Sequence, residues 1–291
     1  MPYVKVLLPF WMMCCCFNSI LFAQNPNARL LQTADSLARV HQTDDALHEY
    51  KRWLFFNTDY SRTNDILFRM AKLYENQGSY REAVILYKRI AGMDASPAVQ
   101  SEAVYRSVLA QFLSGQSAEA VTDTEPYTSA SLQDTSIRKL RFVRLLCLNE
   151  VRRLDDAHRE AKLLFPTIHH PVLDSVYDVA KKALSTEKSA DKAQWLSLLP
   201  GAGQWYVGQK KDAMVSFLMT GAFAAGTLTA VWYQHYLLAG VGLLPLGQRF
   251  YSGGRDYAKK SAQEYNKTLH ADVARMLNGF LLELKSSELG Q

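Results

Sequence analysis

Residues 213–248 contain no Asp, Glu, Lys or Arg, and this run of 36 residues constrains the fold more than any other feature. About 20 apolar residues are enough to cross the hydrocarbon core of a bilayer once. The polar and aromatic residues 233–236 divide the run into a first apolar segment, 213–233, and a second, 236–251. The pattern predicts a membrane protein with two hydrophobic helices joined by a tight turn; the alternative is a buried helical pair of a water-soluble protein.

The two apolar segments differ in how well they can span a membrane. The first has sufficient length and contains small residues that suit helix packing in lipid, namely Gly221, Ala222, Ala225 and Gly226. The second is shorter and is interrupted by Pro245, so it is expected to span with tilt or local thinning, or to be re-entrant. Both segments have basic flanks (Lys210, Lys211, Arg249, Arg255, Lys259 and Lys260), which favours a hairpin over a single crossing. Basic flanks usually face the cytoplasm. This orientation conflicts with the signal peptide predicted at residues 1–23, which would export the chain to the periplasm.

The first 23 residues have the pattern of a secretory signal peptide. Lys5 precedes an apolar stretch over residues 6–22, and the small residue Ala23 marks the predicted cleavage site. Two alternatives are a lipoprotein signal, which would use Cys14, Cys15 or Cys16, and a retained signal anchor. Residues 21–24 (LFAQ) resemble export signals of Bacteroidetes-type bacteria, which implies a location in the bacterial cell envelope.

Composition and charge exclude several classes. With 48% hydrophobic and 21% charged residues the chain is expected to fold, and a net charge of +5 spread along helical segments does not indicate a nucleic-acid partner. Removal of the signal would leave Cys147 as the single cysteine, so no internal disulfide is expected. Cys147 lies in an apolar helical pattern and is predicted to be a small buried residue.

Four segments of the chain align on an alanine with a spacing of 37 residues: Ala46, Ala83, Ala120 and Ala157. Twelve residues before each alanine stands a small or apolar residue: Ala34, Ala71, Val108 and Leu145. The pattern predicts pairs of antiparallel helices that approach closely at these positions, with breakers such as Gly78 and Gly115 between them. An α-solenoid is therefore expected over residues 28–165, with a generic helical bundle as the alternative.

The repeat resembles the tetratricopeptide repeat, most clearly in its second copy, which contains Leu67, Ala71, Tyr74, Gly78, Ala83 and Tyr87. It departs from that family in its period of 37 instead of 34, in the missing tryptophan of the first helix and in two degenerate last copies. The resemblance implies a protein-binding scaffold. Its concave groove would be lined by first-helix residues, predicted here as Phe68, Lys72, Tyr105, Leu109, Phe112 and Phe142. Alternatively, the aromatic residues among these pack between adjacent repeats.

A glycine-rich motif with the sequence PGAGQWYVG occupies residues 200–208. It lacks the Lys-Ser/Thr pair of a phosphate-binding loop, so nucleotide binding is not predicted. Its helix breakers, small residues and aromatic residues suit the membrane interface, and Trp195 adds to them. The predicted membrane motif consists of Pro200, Gly201, Gly203, Gln204, Trp205, Tyr206 and Gly208. This motif resembles the PGxGQxYxG signature of uncharacterised Bacteroidetes membrane proteins and a related element of the two-transmembrane-helix domain family, neither of which implies an enzymatic activity.

The whole chain is thus predicted to be all-α. Its predicted parts are a signal peptide (1–23), the helical repeats (24–184), a polar linker (185–191), the motif with the membrane hairpin (192–255) and an amphipathic helical segment (256–291). The last helix of the repeat region, over 172–184, is predicted to cap the repeats. His169 and His170 are the only close histidine pair, and no nearby carboxylate or cysteine completes a metal site. No nucleophile elbow or HExxH pattern occurs either. No catalytic residue, metal or cofactor is predicted.

The predicted function is a non-enzymatic scaffold of the bacterial envelope that binds a protein or peptide partner through its repeats. The hairpin would hold it in the membrane, the inner rather than the outer, with the repeats in the periplasm, and could associate with another membrane protein or with itself. One alternative is an accessory subunit of a transport or envelope-assembly complex whose functional part is the hairpin. The other is a soluble periplasmic helical protein.

Overall fold

A computed structural model describes residues 26–57, 62–93, 96–129, 134–166 and 170–289. The predicted signal peptide lies outside these residues, as does His169. The described residues form 13 α-helices and no strand, which confirms the predicted all-α class. The chain divides into two compact units, Met1–Cys147 and Leu148–Gln291.

Seven helices of the described residues begin in the first unit. They are α1 (Pro26–Arg39), α2 (Thr43–Phe56), α3 (Thr63–Asn76), α4 (Tyr80–Ala91), α5 (Pro97–Leu113), α6 (Ser117–Thr124) with a 3-10 turn at Glu125–Tyr127, and α7 (Thr135–Glu150), which runs on into the second unit. Gly78 and Gly115 end α3 and α5 with φ angles of 75° and 76°. These angles lie in the left-handed region, where a residue without a side chain stops a helix at least cost.

The aligned alanines of the first unit lie at its most crowded positions. Ala46, Ala83 and Ala120 have 0% exposed surface, and so have Ala34 and Ala71. Around them pack larger side chains such as those of Tyr50, Trp53, Leu67, Tyr87 and Ile90. Helix α1 contacts α2, and α4 contacts both α3 and α5. Small residues at these positions let the helices approach closely enough for the aromatic and branched residues to fill the core.

An ion-pair network links α1, α2 and α3. Nη1 of Arg69 donates to both carboxylate oxygens of Asp35 at 2.7 and 2.8 Å, its Nη2 donates to Asp65 at 2.8 Å, and the hydroxyl of Tyr50 donates to Asp35. Burial alone would raise the pKa of Asp35, but the hydrogen bonds from Arg69 and Tyr50 outweigh burial and lower this pKa. Burial, followed by the hydrogen bond to Asp35, raises the pKa of Tyr50 to about 12.

The second unit contains α8 (Leu154–Leu164), α9 (His170–Leu184), α10 (Ala190–Leu196), α11 (Ala202–Val207), α12 (Lys210–Trp232), a π-helical turn (Leu238–Leu243) and α13 (Leu244–Leu289). The fourth aligned alanine, Ala157, is fully buried in α8. The predicted capping helix is α9, whose Tyr177 donates to Asn149 Oδ1 at 3.3 Å. Asn149 in turn donates to Asn278 Oδ1 on α13 at 2.9 Å. Asn149 and Tyr177 are buried, and these two hydrogen bonds provide partners for their polar atoms.

Contacts between α12 and α13 follow a regular order. Tyr257 hydrogen-bonds to Asp212 at 3.1 Å, and a Cβ added at Gly254 would lie 3.1 Å from Ser216 Oγ. A Cβ added at Gly247 would lie 3.1 Å from the Cβ of Phe223. As residue numbers rise along α12, those of the contacting residues on α13 fall.

Pro245 does not interrupt the second apolar segment, contrary to expectation. It is the second residue of α13 and follows the π-helical turn Leu238–Leu243. A proline lacks the N–H for a helical hydrogen bond and its ring crowds the carbonyl of the preceding turn, and the wider π turn provides room for it. Helix α13 is 46 residues long, so residues 244–251 of the second apolar segment and residues 256–289 of the predicted amphipathic segment share one helix.

Candidate functional site

The glycine-rich motif forms a sharp bend between α10 and α12. Gly201 has φ = 84° and Gly208 has φ = 96°, so the short helix α11 lies between two left-handed glycines. A Cβ on Gly201 would overlap the carbonyl oxygen of Ala213, the first residue of the charge-free run. Glycine is therefore required at position 201 by both conformation and space. Pro200 precedes this bend and is half-buried.

Gly203 brings α11 against α10 and α13. A Cβ at this position would overlap Ser197 Oγ and the carbonyl oxygen of Ala193, and would lie 2.9 Å from the Cβ of Ala258. Ala193 and Ala258 are fully buried in a small cluster that also includes Val207. The motif is therefore packed so closely here that only glycine fits at position 203.

Gln204 is the one strongly buried polar side chain of the motif, with 2% exposure. Its Nε2 donates to the carbonyl oxygen of Gly254 on α13 at 2.9 Å. Its Oε1 is buried and has no hydrogen-bond partner among the described residues. The bond fixes the motif to the second long helix, and the carboxamide retains an unused acceptor.

The aromatic residues of the motif lie beside lysines. Trp205 is 61% exposed, and Lys210 Nζ lies 5.8 Å from the centre of its ring. Tyr206 is half-buried, with Lys188 Nζ 5.1 Å and Lys192 Nζ 5.5 Å from its ring centre. Cation–π contacts of this kind are worth about 0.5–1 kcal/mol at exposed sites. Exposed tryptophan beside lysine is the combination found at the headgroup level of membrane proteins.

Helix α12 presents apolar side chains on all sides. Over its most apolar stretch the mean hydropathy is 1.6, and only 6% of that stretch is buried within the chain. Only Ala213 and Ala230 are buried, whereas Phe217, Leu218 and Leu228 are 63%, 60% and 72% exposed. The residues after the turn are similar, since Leu237 and Val241 are 83% and 76% exposed. Helix α12 is the one candidate membrane-spanning helix among the described residues.

A cavity of about 530 Å³ lies between α11, α12 and α13. Its polar lining comprises Gln204, Asp212, Ser216, Arg249 and Tyr257, and Phe250 contributes to its apolar wall. The hydroxyl of Tyr257 donates to Oδ2 of Asp212 at 3.1 Å. Gln204 was predicted in the membrane motif and Arg249 among the basic flanks, but the cavity was not predicted, because nothing in the local sequence shows that these residues lie together.

The predicted partner-binding residues lie on α3, α5 and α7 with different degrees of exposure. Lys72 is exposed, while Phe68, Tyr105, Leu109 and Phe112 are half-buried. The ring of Phe68 packs at 5.7 Å against that of Tyr87, as expected if the aromatic residues belong to the helix packing. Phe142 is buried, with 6% exposure, so its side chain is not accessible to a partner.

No group of three or more His, Cys, Asp or Glu residues within the described ranges is placed to hold a metal ion. Cys147 is fully buried, as predicted from its apolar surroundings in the sequence. Comparison with protein-family models, with curated protein sequences and with solved structures found no match. The function is therefore argued from the geometry of the motif, the two long helices and the repeats.

Proposed function

We propose that this protein is a non-enzymatic scaffold anchored in a membrane of the bacterial envelope by a helical hairpin. The observation that carries the proposal is the exposure of α12, where the 20 residues from Ala213 to Trp232 carry no charge and only two of them are buried within the chain. Large exposed apolar surfaces on a folded protein mark membrane or protein interfaces. At about 1.5 Å per residue, this charge-free part of α12 is roughly 30 Å long and matches the thickness of the hydrocarbon core.

The opposed order of the contacts between α12 and α13 supports a hairpin. Asp212 and Tyr257 meet at one end, and the turn after Trp232 joins the helices at the other. The first end contains the basic residues and Trp205, as expected at a membrane surface. In this arrangement the helices before α12 and the end of α13 lie on the same side of the membrane. With a cleaved signal peptide that side is the periplasm.

Membrane integration is tested with the full-length chain in its bacterial membrane fraction. The chain should stay with the lipid after washes in high salt and alkaline carbonate and should be released only by detergent. Release by carbonate alone would exclude the anchor and favour the soluble periplasmic alternative.

The sidedness of the hairpin is tested with three single substitutions, Lys211→Cys, Tyr236→Cys and Lys260→Cys, in intact cells treated with a maleimide that does not cross membranes. Positions 211 and 260 should be labelled from the same side, and position 236 should remain unlabelled from that side. The native Cys147 is fully buried and provides the background. Labelling of positions 211 and 260 from opposite sides would show a single crossing and contradict the hairpin.

The proposed role of the helical region is to bind a protein or peptide partner, as in tetratricopeptide-like scaffolds. The complete burial of the aligned alanines supports a repeating arrangement of helix pairs. The half-buried residues Tyr105, Leu109 and Phe112 on α5 retain apolar surface that a partner could cover. Lys72 on α3 adds an exposed charge.

This role is tested by placing a photo-crosslinking amino acid at position 72 or 105 of the full-length chain in living cells. The matched control is position 89 on α4, because Arg89 is exposed on the second helix of the same repeat. We expect one discrete crosslinked band from positions 72 and 105 and none from position 89. Equal bands from all three positions would indicate non-specific contact and contradict a first-helix groove.

A further inference from the structure

The cavity between α11, α12 and α13 lies where the proposed hairpin meets the aqueous phase. Asp212 and Tyr257 form its rim, next to the basic residues that precede the charge-free run. From the rim the lining continues along α13 past Phe250 to Leu246. The cavity therefore joins a polar end to an apolar wall, which suits a ligand with a polar headgroup and a hydrocarbon chain. This inference rests on the membrane anchor proposed above.

Arg249 is placed at an unusual depth for a charged residue. Arg249 lies on α13 between Gly247, which faces Phe223 of α12, and Gly254, which faces Ser216. These two α12 residues follow Asp212 by 11 and 4 positions, so Arg249 lies roughly 6–16 Å deeper along the helix than Asp212. Its side chain forms no ion pair or hydrogen bond with another described residue, although it lines the cavity. An arginine at this level is costly unless its guanidinium extends toward the surface and meets an anion. A phosphate group matches the planar donors of the guanidinium.

Two residues that line the cavity, Gln204 and Asp212, each keep an acceptor atom that is not used within the described chain. Gln204 is almost completely buried, with 2% exposure, and its carboxamide oxygen has no hydrogen-bond partner among the described residues. Asp212 uses Oδ2 to accept the hydroxyl of Tyr257, and its other oxygen is open to a second donor. A carboxylate and an unused carbonyl oxygen together attract a group that has a positive charge and several N–H donors. A primary ammonium is such a group.

We propose that this cavity binds a phospholipid whose headgroup carries both a phosphate and a primary ammonium, as in phosphatidylethanolamine. The phosphate pairs with Arg249, the ammonium donates to Asp212 and to Gln204 Oε1, and an acyl chain lies along Leu246 and Phe250. The carboxylate of Asp212 disfavours a headgroup with a net negative charge, so phosphatidylglycerol is a poor fit. The cavity thus selects a zwitterionic lipid at a site where basic residues alone would favour an anionic one.

Native mass spectrometry of the full-length chain in detergent tests this site with three added probes: phosphatidylethanolamine, phosphatidylglycerol and soluble glycerophosphoethanolamine. We expect one bound phosphatidylethanolamine per chain, held about tenfold more tightly than phosphatidylglycerol. Arg249→Gln and Asp212→Asn should each weaken its binding about tenfold, and Asp212→Asn should also abolish the preference over phosphatidylglycerol. The conservative change Arg249→Lys should retain most of the binding, which separates loss of charge from loss of folding.

Lys211→Gln is the matched control, because it removes one positive charge beside Asp212 from a residue that does not line the cavity. This variant should bind phosphatidylethanolamine like the unmodified chain. Equal binding of both lipids, or binding unaffected by the changes at Arg249 and Asp212, would overturn the proposal. Equally tight binding of glycerophosphoethanolamine would show a site for a soluble metabolite and not for a lipid. Failure of the anchor appears separately, as a chain that dissolves without detergent; a chain that needs detergent but retains no lipid would refute the cavity site alone.

Discussion

Helices α4 and α12 have the same backbone conformation but opposite relations to their surroundings. In α4, four of 12 residues are buried (Ala83, Val84, Tyr87 and Ile90), and the outer face carries the charges of Arg81, Glu82, Lys88 and Arg89. In α12, two of 23 residues are buried, and the exposed residues from Ala213 to Trp232 carry no charge. A helix in water buries its apolar side chains in the protein, whereas a helix in lipid leaves them on the outside. This difference in exposure is the one that the proposed membrane anchor requires.

The largest expected effect comes from placing an arginine on the exposed apolar surface of each helix. Leu218 and Ile85 are similarly exposed, at 60% and 66%. Leu218→Arg would put a charge near the middle of the proposed span, at a cost of roughly 3 kcal/mol for insertion. Ile85→Arg would put the same charge in water and should change stability by less than about 0.5 kcal/mol.

Both variants are measured as the fraction of full-length chain that resists alkaline carbonate. We expect a marked loss for Leu218→Arg and no change for Ile85→Arg. Equal retention of the two variants would mean that α12 is not surrounded by lipid, and the contrast between the two helices would lose its physical basis.

The next largest effect is expected at Gly203 in the bend before α12. The Cβ of Gly203→Ala would overlap Ser197 Oγ and the backbone oxygen of Ala193, so the packing of α11 should be destabilised by about 3 kcal/mol. The matched control is Gly221→Ala in α12, where nothing lies within 4 Å of the added Cβ. Alanine is the better helix former and should stabilise that site by up to about 1 kcal/mol.

Hydrogen exchange of the chain in detergent separates these two changes. Amides of α10 and α11 should exchange faster in Gly203→Ala and at the native rate in Gly221→Ala. Unchanged exchange in Gly203→Ala would show that the bend can relax, and that the glycine is not required for packing.

Periodic features of this chain were predictable from its sequence. The spacing of 37 residues predicted that Ala46, Ala83, Ala120 and Ala157 lie where helices approach closely, and all four are fully buried. The apolar character of α12 was equally predictable, because absence of charge over a whole helix is a property of the local sequence.

Contacts between residues that are far apart in the sequence could not be predicted in this way. The bond from Gln204 to Gly254 joins residues 50 positions apart, and neither residue type indicates the other. Pro245 was expected to interrupt the second apolar segment, because proline usually breaks or kinks a helix. The π-helical turn that accommodates it has no sequence signature, so the continuous helix was not predicted. The cavity around Arg249 is lined by residues of α11, α12 and α13 that are far apart in the sequence, so no local pattern predicts it.

A smaller effect is expected when the same enlargement is made at a repeat alanine and in α12. Ala83→Leu adds volume to a fully buried site and should destabilise the first unit by about 2 kcal/mol. Ala222→Leu adds apolar surface at an exposed position of α12, where lipid can accommodate it at little cost. Thermal unfolding of the full-length chain in detergent should show a lower midpoint for Ala83→Leu alone. An equal loss in Ala222→Leu would place that residue in a packed protein interface instead.

The smallest effect concerns the network of Asp35, Tyr50 and Arg69, which belongs to the first unit. The folded-state pKa of Asp35 is lower than its unfolded value, so its contribution to stability is present above that unfolded value and is lost as pH falls through the folded pKa. The pKa of Tyr50 is raised to about 12, so its contribution is complete below the ordinary tyrosine value near 10 and is lost as pH rises through about 12.

Tyr50→Phe removes the hydrogen bond to Asp35 and should cost about 1 kcal/mol at neutral pH. Asp35→Asn should flatten the loss of stability below about pH 4, because the group that titrates there is gone. Hydrogen exchange of α1–α3 peptides across this pH range measures both changes, and peptides of α12 in the same samples supply the comparison. If α12 exchange responded as strongly as that of α1–α3, the acid effect would be a general loss of folding and not the titration of this network.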